Sequence, residues 1–269
     1  MELPTCTTLD LERDGDWLTI WLARPEARNA LSAEMTAELR AVFAALKTAR
    51  DVRGVTLRGR GGVFCAGGDL KGFRSLVESA SHADVAAMSR DTGVLLDLVN
   101  ETPQVLLVRV EGAATAGGFG LTCAADVVAV TKDAVFAMTE TSIGIPPAQI
   151  APFVVERLGL RTARRLMLTA ERFDGAEAGR IGLADVVADT AAELDDFERK
   201  VRAKVRRCAP NANAETKAIA LATRRLDRSA MIDLAAESFA RCLLGDEGRE
   251  GVASFLEKRK PAWAGGGKP

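Results

Sequence analysis

Apolar and polar positions alternate over Trp17–Leu22 between charged, glycine-bearing flanks, which predicts an early strand. The loop ARPEARNALS follows, and then Met35, Leu39, Val42, Phe43 and Leu46 recur at spacings of three and four. That spacing predicts a helix from Ser32 to about Arg50. Val55–Leu57 reads as a short strand, succeeded by the loop RGRGGVFCAGGDLKGF and a polar helix over roughly Asp84–Asn100. Val105–Val110 is a second clear strand running into the glycine-rich segment EGAATAGGFG, after which an apolar helix is expected. Short strands are predicted at Val127–Val130 and Val135–Met138. This alternation implies an α/β fold with a mostly parallel sheet. From Leu158 onward the pattern is helical (Arg161–Thr169, Ala191–Arg207, Met231–Leu244), with Val186–Val187 the one remaining strand signal. The chain therefore divides into an α/β core over residues 1–190 and a helical region over residues 191–269, ending in a tail, AGGGKP, expected to fray.

Composition narrows the chemistry. Thirty-six Lys+Arg stand against 37 Asp+Glu in 269 residues, a net charge of -1. That excludes the basic footprint of a general nucleic-acid binder but not a local basic patch for a phosphorylated small molecule. The single histidine, His82, excludes an HExxH site, a His-rich metal site and a Ser-His-Asp triad, so no metal is expected. His82 lies in ESASHADV, expected to form a mobile loop beside the site. Five cysteines without a CxxC read as reduced thiols of a cytoplasmic protein. The first residues, MELPTCTTLDLERDGD, lack the apolar core of a signal peptide. The uncharged stretch Gly112–Ala125 is shorter than the roughly 20 residues a membrane span requires.

Three segments carry candidate chemistry. In FCAGGDL and in VEGAATAGGFG, each after a strand, glycine permits positive φ and close approach of a ligand to the backbone. One N–H from each loop, converging on one oxygen, forms an oxyanion hole, worth a few kcal/mol per donor. The plainer alternative is a pair of tight turns; neither loop has the GxGxxG spacing of a dinucleotide site, and no GKS or GKT is present. In FAMTETSIGIPP, Glu140 at a strand end beside apolar residues is a candidate general acid–base, with a capping or salt-bridged surface glutamate as the alternative. Cys65 reads as a small core residue, Asp69 as a cap of the following helix, and Trp17, Trp21 and Trp263 as packing residues.

The ordered set RPEARNAL, CAGGDL, AGGFG, FAMTETSIGIPP and FLEKRKPAW resembles the crotonase (enoyl-CoA hydratase/isomerase) superfamily over residues 10–263. The resemblance implies a spiral core of ββα units and a helical C-terminal region that builds trimers, or a dimer of trimers. It implies acyl-CoA as the substrate, with coenzyme A part of that substrate and no separate cofactor. Residue by residue, it makes the Gly68 and Gly117 amides the oxyanion donors and places Ala66 at the coenzyme A adenine. Arg28 falls at the phosphate region, and Phe255 and Lys258 reach the nucleotide from a neighbouring subunit. Glu140 matches one family carboxylate. Where two-carboxylate hydratases have the other, this chain has Gly120, expected to leave open room beside the acyl group.

One glutamate suits a hydratase of 3-branched glutaconyl-CoA thioesters (3-methyl or isohexenyl), which PPAQIAPFVVERLG and RRLMLTAERFDG resemble. It also suits a one-base Δ3,Δ2-enoyl-CoA isomerase. A non-catalytic acyl-CoA-binding member is the third reading, and Glu140 argues against it. Gln149 in the PPAQ segment is a candidate amide donor to a distal carboxylate, or else part of a structural turn.

Overall fold

The structure is a computed structural model, and residues 3–265 are described. In chain order the elements are β1 (Leu9–Asp14), β2 (Trp17–Leu22), α1 (Ala33–Leu46), β3 (Gly54–Gly59), α2 (Leu70–Ser79) and α3 (His82–Asn100). Then come β4 (Val105–Val110), β5 (Ala113–Thr115), α4 (Gly117–Cys123), β6 (Val127–Thr131), β7 (Val135–Ala137) and, after a 3-10 turn Glu140–Ile143, α5 (Ala151–Thr169). The remainder is β8 (Arg172–Asp174), α6 (Gly175–Arg180), β9 (Val186–Ala188), α7 (Ala191–Val205), α8 (Pro210–Ala222), α9 (Arg228–Leu244) and α10 (Asp246–Leu256).

A six-stranded sheet has the order β1-β2-β3-β4-β6-β9, parallel except at the β1–β2 hairpin. The short strands form a separate three-stranded sheet, β5-β7-β8. Two turns of the chain, β4–β5–α4 and β6–β7–α5, place one strand in each sheet before a helix, the ββα unit the resemblance implies. Most of the core lies where α1, α3 and α4 cover the large sheet, and includes Ile20, Leu39, Phe43, Leu57, Leu95 and Val108. On the opposite face α7 buries Arg109 of β4 at 1% exposure, and Glu198 accepts from it at 2.9 Å.

Local sequence explains most boundaries. Ser32 caps α1, accepting from the Met35 N–H at 3.1 Å, and the predicted stripe Met35, Leu39, Val42, Phe43, Leu46 is its buried face. The helix stops at Leu46, short of Arg50. One expectation is corrected, one helix is longer than expected, and one strand is unforeseen. ESASHADV is not a loop: Ser81 and Asp84 form a reciprocal capping box, and His82 opens α3. The predicted helix Arg161–Thr169 is the second half of α5, which begins at Ala151; Gly159 at φ +73° interrupts the pattern midway. β8 escaped prediction because three residues, RFD, carry no measurable period. The tail expected to fray, residues 266–269, lies outside the described residues. Among the described residues no helix is long and apolar enough to cross a membrane.

Candidate active site

Backbone pairing brings three strand ends side by side. Cys65 bridges Ala114 in parallel, with the Cys65 N–H donating to the Ala113 carbonyl and the Thr115 N–H to that of Cys65, both at 2.9 Å. β5 in turn pairs with β7, setting Thr115 opposite Ala137. Adjacent strands lie about 4.8 Å apart. The segments leading to Gly68, Gly117 and Glu140 thus emerge next to one another and in the same direction.

The two glycine loops touch. A Cβ on Gly67 (φ +93°) would lie 2.7 Å from the Ala116 Cβ and 3.5 Å from the Gly117 nitrogen. A Cβ on Gly118 would lie 2.5 Å from the Cys65 carbonyl oxygen. Only residues without a Cβ permit this approach. Gly117 is the first residue of α4, as expected for a loop that opens a helix. Its N–H and that of Gly68 have no acceptor among the described residues, and both residues are partly accessible. Ala116 between the loops adopts φ +48°, ψ −117°, the first central position of a type II′ turn, where glycine dominates. Such strain costs on the order of 1–3 kcal/mol and persists where its surroundings impose it.

Glu140 opens the 3-10 turn after β7. That turn is held by the Ser142 hydroxyl donating to Thr139 at 2.6 Å, Thr141 donating to the Met167 carbonyl at 3.1 Å, and the Ile145 N–H donating to the Glu140 carbonyl at 3.2 Å. The carboxylate Oε2 is buried without a hydrogen-bond partner among the described residues. Burial raises the Glu140 pKa above the ordinary carboxylate value, against the smaller opposing effect of its own backbone N–H. Beneath the site Phe119, Phe136 and Phe173 form an aromatic cluster with centroids 5.5–6.2 Å apart, locking α4, β7 and β8 together.

The remaining candidates fall at three places. Arg28 (φ +53°) is exposed, and its guanidinium forms no ion pair among the described residues. Its carbonyl accepts from the Ala66 N–H at 3.1 Å, so Ala66 has only its carbonyl to offer a ligand. Gln149 donates to the Ser89 hydroxyl at 3.1 Å and lies over Gly93, tying the PPAQ segment to α3. Phe255 (83% exposed) and Lys258 lie in the last turn of α10 and just beyond it. There Trp263 packs on Gly251, and its carbonyl accepts from Arg53, just before β3, whereas the glycine loops follow the ends of β3 and β5. Within one chain these two residues are thus remote from Gly68.

Gly120 corrects an expectation. It does not open onto room beside the acyl group: a Cβ there would lie 2.3 Å from Ile150 Cγ2 and 3.6 Å from Leu96 Cδ2. The space is filled, and filled by hydrocarbon.

Cys65 is fully buried and burial pushes its thiol up to about 12, so it is a core thiol. Trp17 is buried and donates to Thr56, and Trp21 lies between Arg58 and Arg60, 4.3 and 3.8 Å from their guanidinium carbons. Asp69 directly precedes α2 and pairs with Arg24 at 3.4 Å. Sequence reasoning missed Asn29. Fully buried, it accepts from the Arg24 N–H at 2.8 Å and donates to the Arg60 and Val63 carbonyls at 2.9 and 2.7 Å, holding the loop that leads to Gly68.

Comparison with known proteins fits this arrangement. The family model "Enoyl-CoA hydratase/isomerase" matches residues 13–266. The chain belongs to the enoyl-CoA hydratase/isomerase family, the crotonase superfamily of enzymes. It is similar to the solved structure of Pseudomonas aeruginosa AtuE, at 48% identity and a TM-score of 0.93 over 96% of this chain and 100% of that one. An enoyl-CoA hydratase/isomerase from Marinobacter aquaeolei is 42% identical with a TM-score of 0.92, over 96% of this chain and 100% of that one. A probable enoyl-CoA hydratase of Rhodobacter capsulatus is 35% identical, covering 96% of this chain and 98% of its own.

Proposed function

We propose that the protein adds water across the α,β double bond of an acyl-CoA, using Glu140 as its only catalytic carboxylate. The observation that carries this reading is the buried, unpartnered Glu140 Oε2, set beside the Gly117 loop by the β5–β7 pairing. The Glu140 carboxylate takes a proton from water as the water oxygen bonds to Cβ. The displaced electron pair moves through Cα to the thioester oxygen, where the Gly68 and Gly117 amides receive the charge. The same carboxyl then returns the proton to Cα. Because charge on that oxygen grows along the path, the two donors favour the transition state over the ground state. A raised pKa suits a group that must both take and give a proton near neutrality. No cofactor beyond the substrate's own coenzyme A is needed.

Arg28 and the Ala66 carbonyl hold the nucleotide, and Phe255 and Lys258 contribute to it from a neighbouring copy in a homotrimer or dimer of trimers. Exposed Ile232, Phe239, Leu243 and Leu244 on α9 support such an assembly.

The acyl group proposed is a 3-branched glutaconyl chain with a distal carboxylate. Ile150 fills the space at Gly120, so charge rather than room supports this acyl group. Ile150 and Leu96 put hydrocarbon where a second carboxylate would repel the distal carboxylate of the acyl chain in poorly solvated surroundings. Gln149 has a second amide N–H with no acceptor among the described residues, a donor for that carboxylate. The test is kcat/KM for 3-methylglutaconyl-, isohexenylglutaconyl- and crotonyl-CoA in ¹⁸O-labelled water. Label at Cβ with a branched glutaconyl thioester preferred supports the reading; preference for crotonyl-CoA contradicts the substrate. Hydrogen exchange without oxygen incorporation marks an isomerase, and neither event a binding protein.

A further inference from the structure

We propose that Ala116 is a positioning residue whose methyl group sets the separation of the Gly68 and Gly117 amides. The inference rests on the oxyanion role proposed for those amides.

Ala116 stands at φ +48°, ψ −117°, in a turn position that glycine occupies without strain. A side chain there is unfavourable for the fold, so its presence calls for a counterpart. That counterpart is Gly67. A Cβ built on Gly67 would come within 2.7 Å of the Ala116 Cβ, so the one methyl present fills the gap between the loops and leaves no room for another. The residues that carry the two free amides, Gly68 and Gly117, follow directly on Gly67 and Ala116. Ala116 is fixed from behind, where its N–H donates to the Ala137 carbonyl at 2.9 Å. From the other side Leu31 bounds the contact: its N–H donates to the Gly67 carbonyl at 2.8 Å, and its Cδ1 would lie 2.9 Å from a Cβ on Gly117. Without the methyl, the loops remain attached but lose the spacer between them. A hole for one oxygen atom tolerates little such freedom, since misplacement by about 1 Å can lower a rate 10²-fold.

The experiment compares Ala116→Gly, Ala116→Ser and Glu140→Gln in kcat, KM and thermal midpoint, using the best acyl-CoA of the series above. Ala116→Gly is expected to lower kcat about tenfold or more with KM within about threefold. Its thermal midpoint should be unchanged or higher, because relief of backbone strain offsets the added freedom of the unfolded chain. Ala116→Ser keeps a Cβ and should stay within about threefold of the parent kcat. The proposal is overturned if Ala116→Gly retains kcat within twofold, if its loss comes with a lower thermal midpoint and a raised KM, or if Ala116→Ser loses as much as Ala116→Gly. Glu140→Gln separates the two levels. If it is inactive while Ala116→Gly is fully active, the spacer role alone fails; if it is active, the proposed reaction fails.

Discussion

Ile150 Cγ2 occupies the position in front of Gly120, 2.3 Å from where a Cβ on that glycine would be built. The backbone of α4 and the residue that directly precedes α5 are therefore in direct contact. Gly120→Ala should destabilise the protein by about 1–3 kcal/mol through overpacking, and Ile150→Ala by about 2–5 kcal/mol through the cavity it leaves. The double variant should lose less than the sum, because each change removes the other's fault. Denaturant unfolding of all four proteins checks this, and strict additivity would contradict it.

Gly120 also shows where the sequence stops being informative. Its motif position was legible, but what faces it is set by Ile150, thirty positions along, and no local period reports that contact. The predicted stripe of α1 and the strands Trp17–Leu22 and Val105–Val110 were legible because burial on one face imposes a period. β5 and β8 were not, having three residues each, and α2 was expected only as a helix of unstated length after Asp69, its first residues Leu70–Phe73 lying in a segment read as loop. Gly68, Gly117 and Glu140 stand out as punctuation and charge at strand ends, but their approach depends on the Cys65–Ala114 and Thr115–Ala137 pairings, long-range facts that three short segments do not encode. Asn29 passed unnoticed because a buried asparagine in a loop looks like any turn residue until its three backbone partners are known.

Asn29→Ala removes the side-chain partner of the half-buried Arg24 N–H and of the Arg60 and Val63 carbonyls. A loss of at least about 2 kcal/mol is expected, together with a fall in kcat from loosening of the loop that ends at Gly68. Denaturant unfolding and steady-state kinetics on the same samples test both parts; unchanged stability would show that water replaces the three bonds freely.

Glu140→Gln keeps shape and removes the proton acceptor. Its kcat should fall about 10²–10⁴-fold, with coenzyme A affinity nearly unchanged. Calorimetric titration with coenzyme A alone provides the second readout, and a variant that keeps most of its activity would remove Glu140 from the mechanism.

The same substitution predicts a pH signature in stability. Burial raises the Glu140 pKa in the folded state, so at a pH between the unfolded and folded values the native protein holds a proton that the unfolded chain has released. Stability from this group is present below the ordinary carboxylate pKa and is lost as pH rises through the raised, folded-state value. Glu140→Gln has no such loss. Its thermal midpoint relative to the parent should rise with pH across that window, and at neutral pH the inactive variant should be the equal or more stable protein. Parallel melting curves from pH 4 to pH 8 decide the sign.

The most direct test of the account is a crystal structure with a non-hydrolysable acyl-CoA analogue bound. The account predicts the thioester oxygen within about 2.7–3.1 Å of both the Gly68 and Gly117 nitrogens, with the Glu140 carboxylate facing the α and β carbons. A thioester oxygen beyond hydrogen-bonding distance of both amides would contradict it.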